Sequence, residues 1–145
     1  TLFLALDAAV TLHHAGEMPL ADFAALPRVT RDILTHVTLP KASQRAVYLS
    51  QRNISTDFPV LAVALSERDG RYTCAVGARP MPAAAFADEK GALAQGITED
   101  SARAFAADIA ARAVLGGNLR AGADYRRAVC EVLVRRAALA LSKEG

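Results

Sequence analysis

Tryptophan is absent from this chain, and five phenylalanines and three tyrosines are its only aromatic residues apart from histidine. A core built from it must be packed by small aliphatic side chains, which let backbones approach closely. Cysteine is almost absent as well. Cys74 and Cys130 stand alone, with no Cys-x-x-Cys spacing. Together with His13, His14 and His36 they give no recognised ligand pattern, which argues against zinc and iron–sulfur sites. The two thiols read as small buried residues of a reducing cytoplasm, with a disulfide between them as the alternative.

Charge of one sign is lacking too. Seventeen Lys and Arg face fifteen Asp and Glu, a net charge of +2. So weak a field does not argue for nucleic acid. Arg126, Arg127, Arg135 and Arg136 gather near the end, but Asp100, Asp108, Asp124 and Glu131 lie among them, so no basic stripe forms. No apolar run reaches membrane-spanning length, so no membrane partner is expected. Thr1 to Asp7 is apolar but short and has no basic leader, unlike a signal peptide. With no initiator Met and a start in mid-pattern, the sequence looks like a piece of a longer chain.

Hydrolase signatures are missing. None of the serines sits in a Gly-x-Ser-x-Gly setting. Gly116-Gly117 follows a helical pattern instead of a strand, so it reads as a helix end and not as a phosphate loop. His13 and His14 fall in an extended run, where neighbours point to opposite faces, so they do not form a metal pair.

What is present is ordinary globular composition. Of 145 residues, 52% are hydrophobic and 22% charged, enough for one domain or a domain with an appendage. Thr1 to Asp7 is too short to assign to helix or strand. Ala9 to His14 has strand character and runs into a turn at Ala15-Gly16-Glu17. Met18 to Leu26 predicts a short extended piece and a helical turn. Arg31 to Pro40 alternates, with Val37 and Leu39 on one face, and predicts a strand with that face buried. Ala46 to Leu49 reads as another strand, followed by a polar loop over 51–57. Phe58 to Leu65 is nearly all apolar, fitting a strand covered on both faces or a buried helical segment. Asp69-Gly70 marks a hairpin, with Tyr72 to Gly77 as the returning strand. Pro80 and Pro82 end it.

The last third reads as helical. A helix is expected over Ala83 to Ala94, ending near Gly96. Thr98 is a good N-cap for the next, with Glu99 and Asp100 in its first turn and Ala102, Phe105, Ile109 and Ala113 on one face. Gly116-Gly117 should end it. Asp124 should cap the last helix, with Tyr125, Val129, Val132, Leu133 and Ala137 as its buried stripe and Arg126 and Arg127 on the surface. Strands first and helices last predict an α+β fold, with helices on one face of an antiparallel sheet.

Several segments together resemble a known family. Leu4-Ala-Leu-Asp-Ala-Ala-Val10 resembles its Leu-Leu-Ala-Leu-Asp-Ala-Xaa-Val. Met18-Pro-Leu-Ala-Asp-Phe23 is similar to its Val-Pro-Leu-Xaa-Asp-Phe, and Asp32-Ile-Leu-Thr-His-Val-Thr-Leu-Pro40 to its Glu-Ile-Leu-Thr stretch. Tyr48 to Phe58 and Val76 to Pro80 follow in the same order. Asn118 to Leu139, with its Asp124-Tyr125-Arg126-Arg127 start, resembles the closing helix. The family is the FAD-binding medium subunits of the molybdenum hydroxylases, the group containing xanthine dehydrogenase and aerobic carbon monoxide dehydrogenase.

The resemblance implies a three- or four-stranded antiparallel sheet packed against three helices over 41–145. Residues 1–40 would be the remnant of the FAD-binding domain. It implies an oxidoreductase subunit that passes electrons from iron–sulfur clusters through FAD to NAD or another acceptor. Its partners would be a molybdenum-cofactor large subunit and a 2Fe-2S small subunit, with homo-oligomerisation left open and a cytoplasmic location. Catalytic and metal residues are not expected in this chain. Cofactor-facing residues are Ile33 and Leu34 as apolar contacts, Asp57 and Phe58 as the pair beside the isoalloxazine ring, and Ser50. An aromatic face excludes water from a flavin and a nearby carboxylate shifts its electronics. Phe58 as strand core and Asp57 as a loop residue are the simpler alternatives. Ser50 stands where the family has Lys, Asn53 where it has Arg, and Pro82-Ala83 replaces a Pro-x-Arg-Ala segment. The Gly-rich pyrophosphate loops of the family are not in this sequence, so these 145 residues alone should bind little FAD. A cofactor-free interaction domain that kept the fold and lost the site is the rival reading. Ser50 to Phe58 looks closer to bacterial xanthine or purine dehydrogenase subunits than to carbon monoxide dehydrogenases.

Overall fold

The structure is a computed structural model that describes residues 1–27, 29 and 31–143. Its centre is an antiparallel sheet in the order β4 (Arg45–Gln51), β5 (Leu61–Arg68), β6 (Arg71–Gly77), β7 (Ala84–Ala87). Asp69 and Gly70 join β5 to β6 with φ of 52° and 74°, the left-handed pair that a two-residue hairpin of matching twist requires. Two long helices, α3 (Glu99–Arg112) and α4 (Ala123–Leu141), pack against each other, and α4 lies across β4 and β5. Among the described residues the architecture is α+β, as the element order predicts.

β5 is buried on both faces because its two faces carry different sizes of side chain. Leu61, Val63 and Leu65 point into the main core with Phe105, Ile109, Leu133 and Val134. On the other face Ala64 pairs in register with Ala75, and these two methyl groups leave room for α1 (Leu2–Ala5), whose Leu4 and Ala5 pack on them. Gly77 makes the same accommodation. A Cβ there would collide with the Thr1 hydroxyl oxygen. The buried Ser66 hydroxyl donates to the Ala5 carbonyl, so the chain start is tied to the sheet by a polar bond as well.

Residues 9–38 form a second, three-stranded antiparallel sheet, β2 (Gly16–Pro19), β1 (Ala9–Leu12), β3 (Leu34–Thr38), with α2 (Leu20–Ala25) beside it. β1 buries Val10 and Leu12. β3 differs from the expected half-buried strand: all five residues are exposed, because it pairs only with β1 and no layer lies over it among the described residues. His13 and His14 lie in the β1–β2 turn, not in the strand, with ring centroids 4.5 Å apart. That turn is held by Asp32, whose carboxylate accepts from His14 N–H at 3.1 Å, Ala15 N–H at 3.0 Å and Ile33 N–H at 2.7 Å.

The helical third corrects four expectations. The helix expected over 83–94 is β7 and a turn. Its alanines are small enough for either state, and pairing with β6 decides it. Asp88 then caps the turn, accepting from Ala92 and Leu93 N–H at 2.9 and 2.8 Å, with Gly91 at φ 63°. α3 starts as expected at Thr98, through a capping box completed by Ser101, and buries Ala102, Phe105 and Ile109. It ends at Arg112, before Gly116-Gly117. α4 is capped at Gly122, with Asp124 in its first turn where a negative charge favours the dipole. Its buried face is rotated from the expected one. Tyr125 and Val132 are 48% and 39% exposed, while Arg126, Cys130, Leu133, Ala137 and Leu141 are buried. Cys74 and Cys130 are buried free thiols. Burial raises both thiol pKa values, that of Cys130 to about 11, so neither is a thiolate near neutral pH.

Candidate functional site

Arg126 organises the region that the sequence marks as functional. Its side chain is 1% exposed, and no carboxylate among the described residues lies within salt-bridge distance of it. Its charge is met by oxygen dipoles instead. Nε donates to the Val60 carbonyl at 2.9 Å, Nη1 to the Gly116 and Ala121 carbonyls at 2.8 and 2.6 Å, and Nη2 to Asn118 Oδ1 at 2.8 Å. Burial lowers its pKa, but four bonds of this kind hold the cation in place. One side chain thus ties the entry to β5, the α3–α4 connection and α4 itself.

The Asn118–Ala121 turn is built on this clamp. Asn118 and Ala121 bridge each other, with N···O distances of 3.0 and 3.2 Å, and Asn118 Oδ1 also accepts from Arg120 N–H at 3.0 Å. The turn carries Arg120 outward. Its Nη1 donates to Asp57 Oδ1 at 2.6 Å, and its guanidinium carbon stands 5.7 Å from the centre of the Phe58 ring. Asp57 Oδ1 also accepts from Phe58 N–H at 2.7 Å. The Arg120 hydrogen bond first, then the Phe58 N–H, hold the Asp57 carboxyl below its ordinary range. From the other side Arg52 Nη1 donates to the Asp57 carbonyl at 3.1 Å, and Arg52 Nε to Ser50 Oγ at 3.3 Å.

The structure therefore brings together Ser50, Asp57 and Phe58 of the sequence-marked residues and adds Arg52 and Arg120 to them. Where the resemblance leads one to expect a Lys at Ser50, the guanidinium of Arg52 lies against the Ser50 hydroxyl, so positive charge is present there. Phe58 is not strand core: it is 77% exposed, three residues before β5 starts. Beside it an open cleft of about 550 Å³ is lined by Phe58, Met81, Pro82, Asn118, Arg120 and Arg126, among others. Arg79 fastens the far wall, donating to the Pro82 carbonyl and the Val114 carbonyl at 2.8 Å each. Ile33 and Leu34 are not brought into this cluster. Leu34 opens the exposed β3 and Ile33 precedes it, 43% and 67% exposed.

A planar, polyanionic-tailed cofactor such as a flavin needs an aromatic face, a polar group that shifts its electronics, and cations nearby. An outward-facing Phe58 ring, a fixed Asp57 carboxylate and the guanidinium groups of Arg52 and Arg120 fit the ring end of such a group. Among the described residues no cluster of three or more His, Cys, Asp or Glu could hold a metal ion. No described helix is long and apolar enough to cross a membrane.

Sequence reasoning missed Arg126, the centre of the clamp, and Arg120, which the clamped turn carries. Arg126 shares the spacing of Cys130, Leu133, Ala137 and Leu141, so the helix period alone places it on the buried face. Its charge argued for the surface, and the four oxygen acceptors that overrule this come from the folded course of the preceding loop, at Gly116, Asn118 and Ala121, and from the distant Val60.

No protein family's sequence profile matches the chain, and no curated protein does. Solved structures do match. Quinoline 2-oxidoreductase from Pseudomonas putida 86 superposes with a TM-score of 0.79 at 16% identity over 98% of this chain and 54% of the matched one. Carbon monoxide dehydrogenase from Hydrogenophaga pseudoflava gives 0.75 at 21% identity, covering 97% and 54%. The reconstituted enzyme from Oligotropha carboxidovorans gives 0.75 at 18%, covering 99% and 55%. The chain thus spans about half the length of the solved chains it matches, and over nearly all of its own length it has the fold found in these molybdenum hydroxylases.

Proposed function

We propose that this chain belongs to the FAD-containing electron-transfer subunit of a molybdenum hydroxylase and forms the wall on one side of its flavin. Residues 1–40 are then the tail of the FAD-binding domain, and 41–145 the domain that follows it. The observation that carries this reading is the cluster at Asp57 and Phe58, found on a fold shared with quinoline 2-oxidoreductase and carbon monoxide dehydrogenase. When bound, the flavin supplies the chemistry of accepting electrons and releasing them to NAD or another acceptor. This chain's residues do the rest. Phe58 covers a ring face and excludes water, Asp57 sets a fixed negative charge, and Arg52 compensates at Ser50 for the missing Lys. A molybdenum-cofactor large subunit and a 2Fe-2S small subunit are the proposed partners. The Ser50 to Phe58 segment favours a xanthine dehydrogenase-like complex.

A cofactor-free assembly domain of the same fold is the second reading. Ser50 and Asn53 in place of basic residues favour it, as does the separation of Ile33 and Leu34 from Phe58. The full-length protein separates the two. It should purify yellow, with flavin absorbance in about a one-to-one ratio to protein. A folded full-length protein without flavin absorbance, and unable to take up added FAD, would sink the electron-transfer reading.

A further inference from the structure

Arg120 is 40% exposed, makes its ion pair to a residue 63 positions away, and sits outside every element. An arginine in such a setting is ordinarily a solvated loop residue of little energetic weight. Its surroundings differ from that case at both ends. At the near end its backbone is fixed, because Asn118 Oδ1 accepts from Arg120 N–H and from the buried Arg126 at once. At the far end it reaches the Asp57 carboxylate, the Phe58 carbonyl at 3.4 Å and the Phe58 ring face. A planar guanidinium can satisfy a carboxylate and stack on a ring together, which an ammonium cannot.

The 51–60 loop has few other anchors to the body of the protein. Arg52 binds Asp57 within the loop itself, and Val60 N–H donates to the Gln51 carbonyl at 2.8 Å, closing the loop on its own base. Arg126 holds the Val60 carbonyl, at the loop's last residue. Between these ends, among the described residues, the side-chain hydrogen bonds that link the Asp57–Phe58 pair to another part of the fold come from Arg120. The connection runs from the buried Arg126 through Asn118 to Arg120 and out to the pair.

We propose that Arg120 is a positioning residue, which transmits the rigidity of the buried Arg126 clamp to Asp57 and Phe58 and so fixes the carboxylate and ring that face the flavin. This rests on the reading of that pair as flavin-facing. Asp57 without Arg120 keeps its bond to the Phe58 N–H but is free to swing with the loop. Phe58 without the guanidinium over its ring is free to leave the flavin face.

The test compares Arg120→Ala, Arg120→Lys, Asp57→Asn and Phe58→Ala in the full-length flavoprotein. It reads the flavin midpoint potential, the flavin fluorescence yield and the rate of FAD loss. Arg120→Ala should shift the potential from that of the unaltered protein, as Asp57→Asn does, and raise the fluorescence, as Phe58→Ala does. FAD should be lost up to about fivefold faster, the scale of one partly exposed charge pair. Arg120→Lys should keep the potential closer to the unaltered value but not restore the low fluorescence, since it carries the charge without the stacking plane. Where Arg120→Ala does not fold, Arg120→Gln gives the same reading, because it removes the guanidinium and keeps a polar side chain on the residue whose backbone N–H Asn118 Oδ1 holds. The positioning role is overturned if Asp57→Asn and Phe58→Ala alter the flavin signals while Arg120→Ala leaves both unchanged and lowers only the melting temperature. If Asp57→Asn and Phe58→Ala leave the flavin unaltered as well, the flavin-facing reading fails, and the proposal with it.

Discussion

β5 and β3 are both strands of antiparallel sheets that carry Leu and Val, but they sit in opposite circumstances. Leu61 to Leu65 are each 2% exposed or less, whereas Ile33, Leu34, Val37 and Leu39 are all at least 43% exposed. The cause is layering. β5 has α4 on one face and α1 on the other, while β3 has one strand neighbour and no cover among the described residues. Burial of apolar area is what stabilises a fold, at roughly 25 cal/mol per Å². The stability of the chain is therefore concentrated in the β4–β7 sheet with α1, α3 and α4, and residues 31–44 and 52–58 mainly present side chains outward.

The largest effect should come from Arg126→Ala. It removes the donor to four oxygens at once, and three of them are backbone carbonyls with no freedom to turn to water. A loss of about 3–5 kcal/mol in urea unfolding is expected, the scale for stripping one side of a buried charged network. Next comes a paired comparison. Leu65→Ala in the core should cost about 2–5 kcal/mol, including its cavity. Val37→Ala on β3 should change stability by about 0.5 kcal/mol or less. Equal losses at the two positions would break the contrast between the sheets. Thr98→Ala, which removes one side of the α3 capping box, should fall between them at about 1 kcal/mol.

How legible this was follows from the kind of signal. The Asp69-Gly70 hairpin, the Thr98 cap and the Ala102–Phe105–Ile109 face were readable because each depends on neighbours a few residues away. β7 was not, because Ala83 to Ala87 satisfies helix and strand equally and a partner strand decided between them. Arg126 was not, because its acceptors lie as far as 66 positions away. At the candidate site the same division holds. Ser50, Asp57 and Phe58 were marked by resemblance alone. Arg52 and Arg120 were not marked, and Arg120, which closes the cluster, comes from a turn whose geometry no local pattern announces.

The smallest effect sharpens the comparison at the loop instead of the sheets. Asp57 and Asp32 each fasten an outward-facing segment, and each carboxyl lies below its ordinary value of 3.8. They are held there by different means. Partial desolvation opposes the shift at Asp32, and the N–H groups of His14, Ile33 and Ala15 outweigh it, with the charge of His14 adding to them. At Asp57 the Arg120 hydrogen bond leads. A carboxyl with a depressed folded pKa gives stability that is fully present above the unfolded value and is lost as pH falls through the folded one. Both segments should therefore be unaffected by pH near neutrality and loosen only below about pH 4. Carbon-detected NMR titration of the side-chain carboxyls should show Arg120→Ala moving the Asp57 midpoint upward and leaving Asp32 where it was. An unchanged Asp57 midpoint would mean that the Phe58 N–H alone fixes that carboxylate, and that the link from the buried clamp to the loop carries no electrostatic weight.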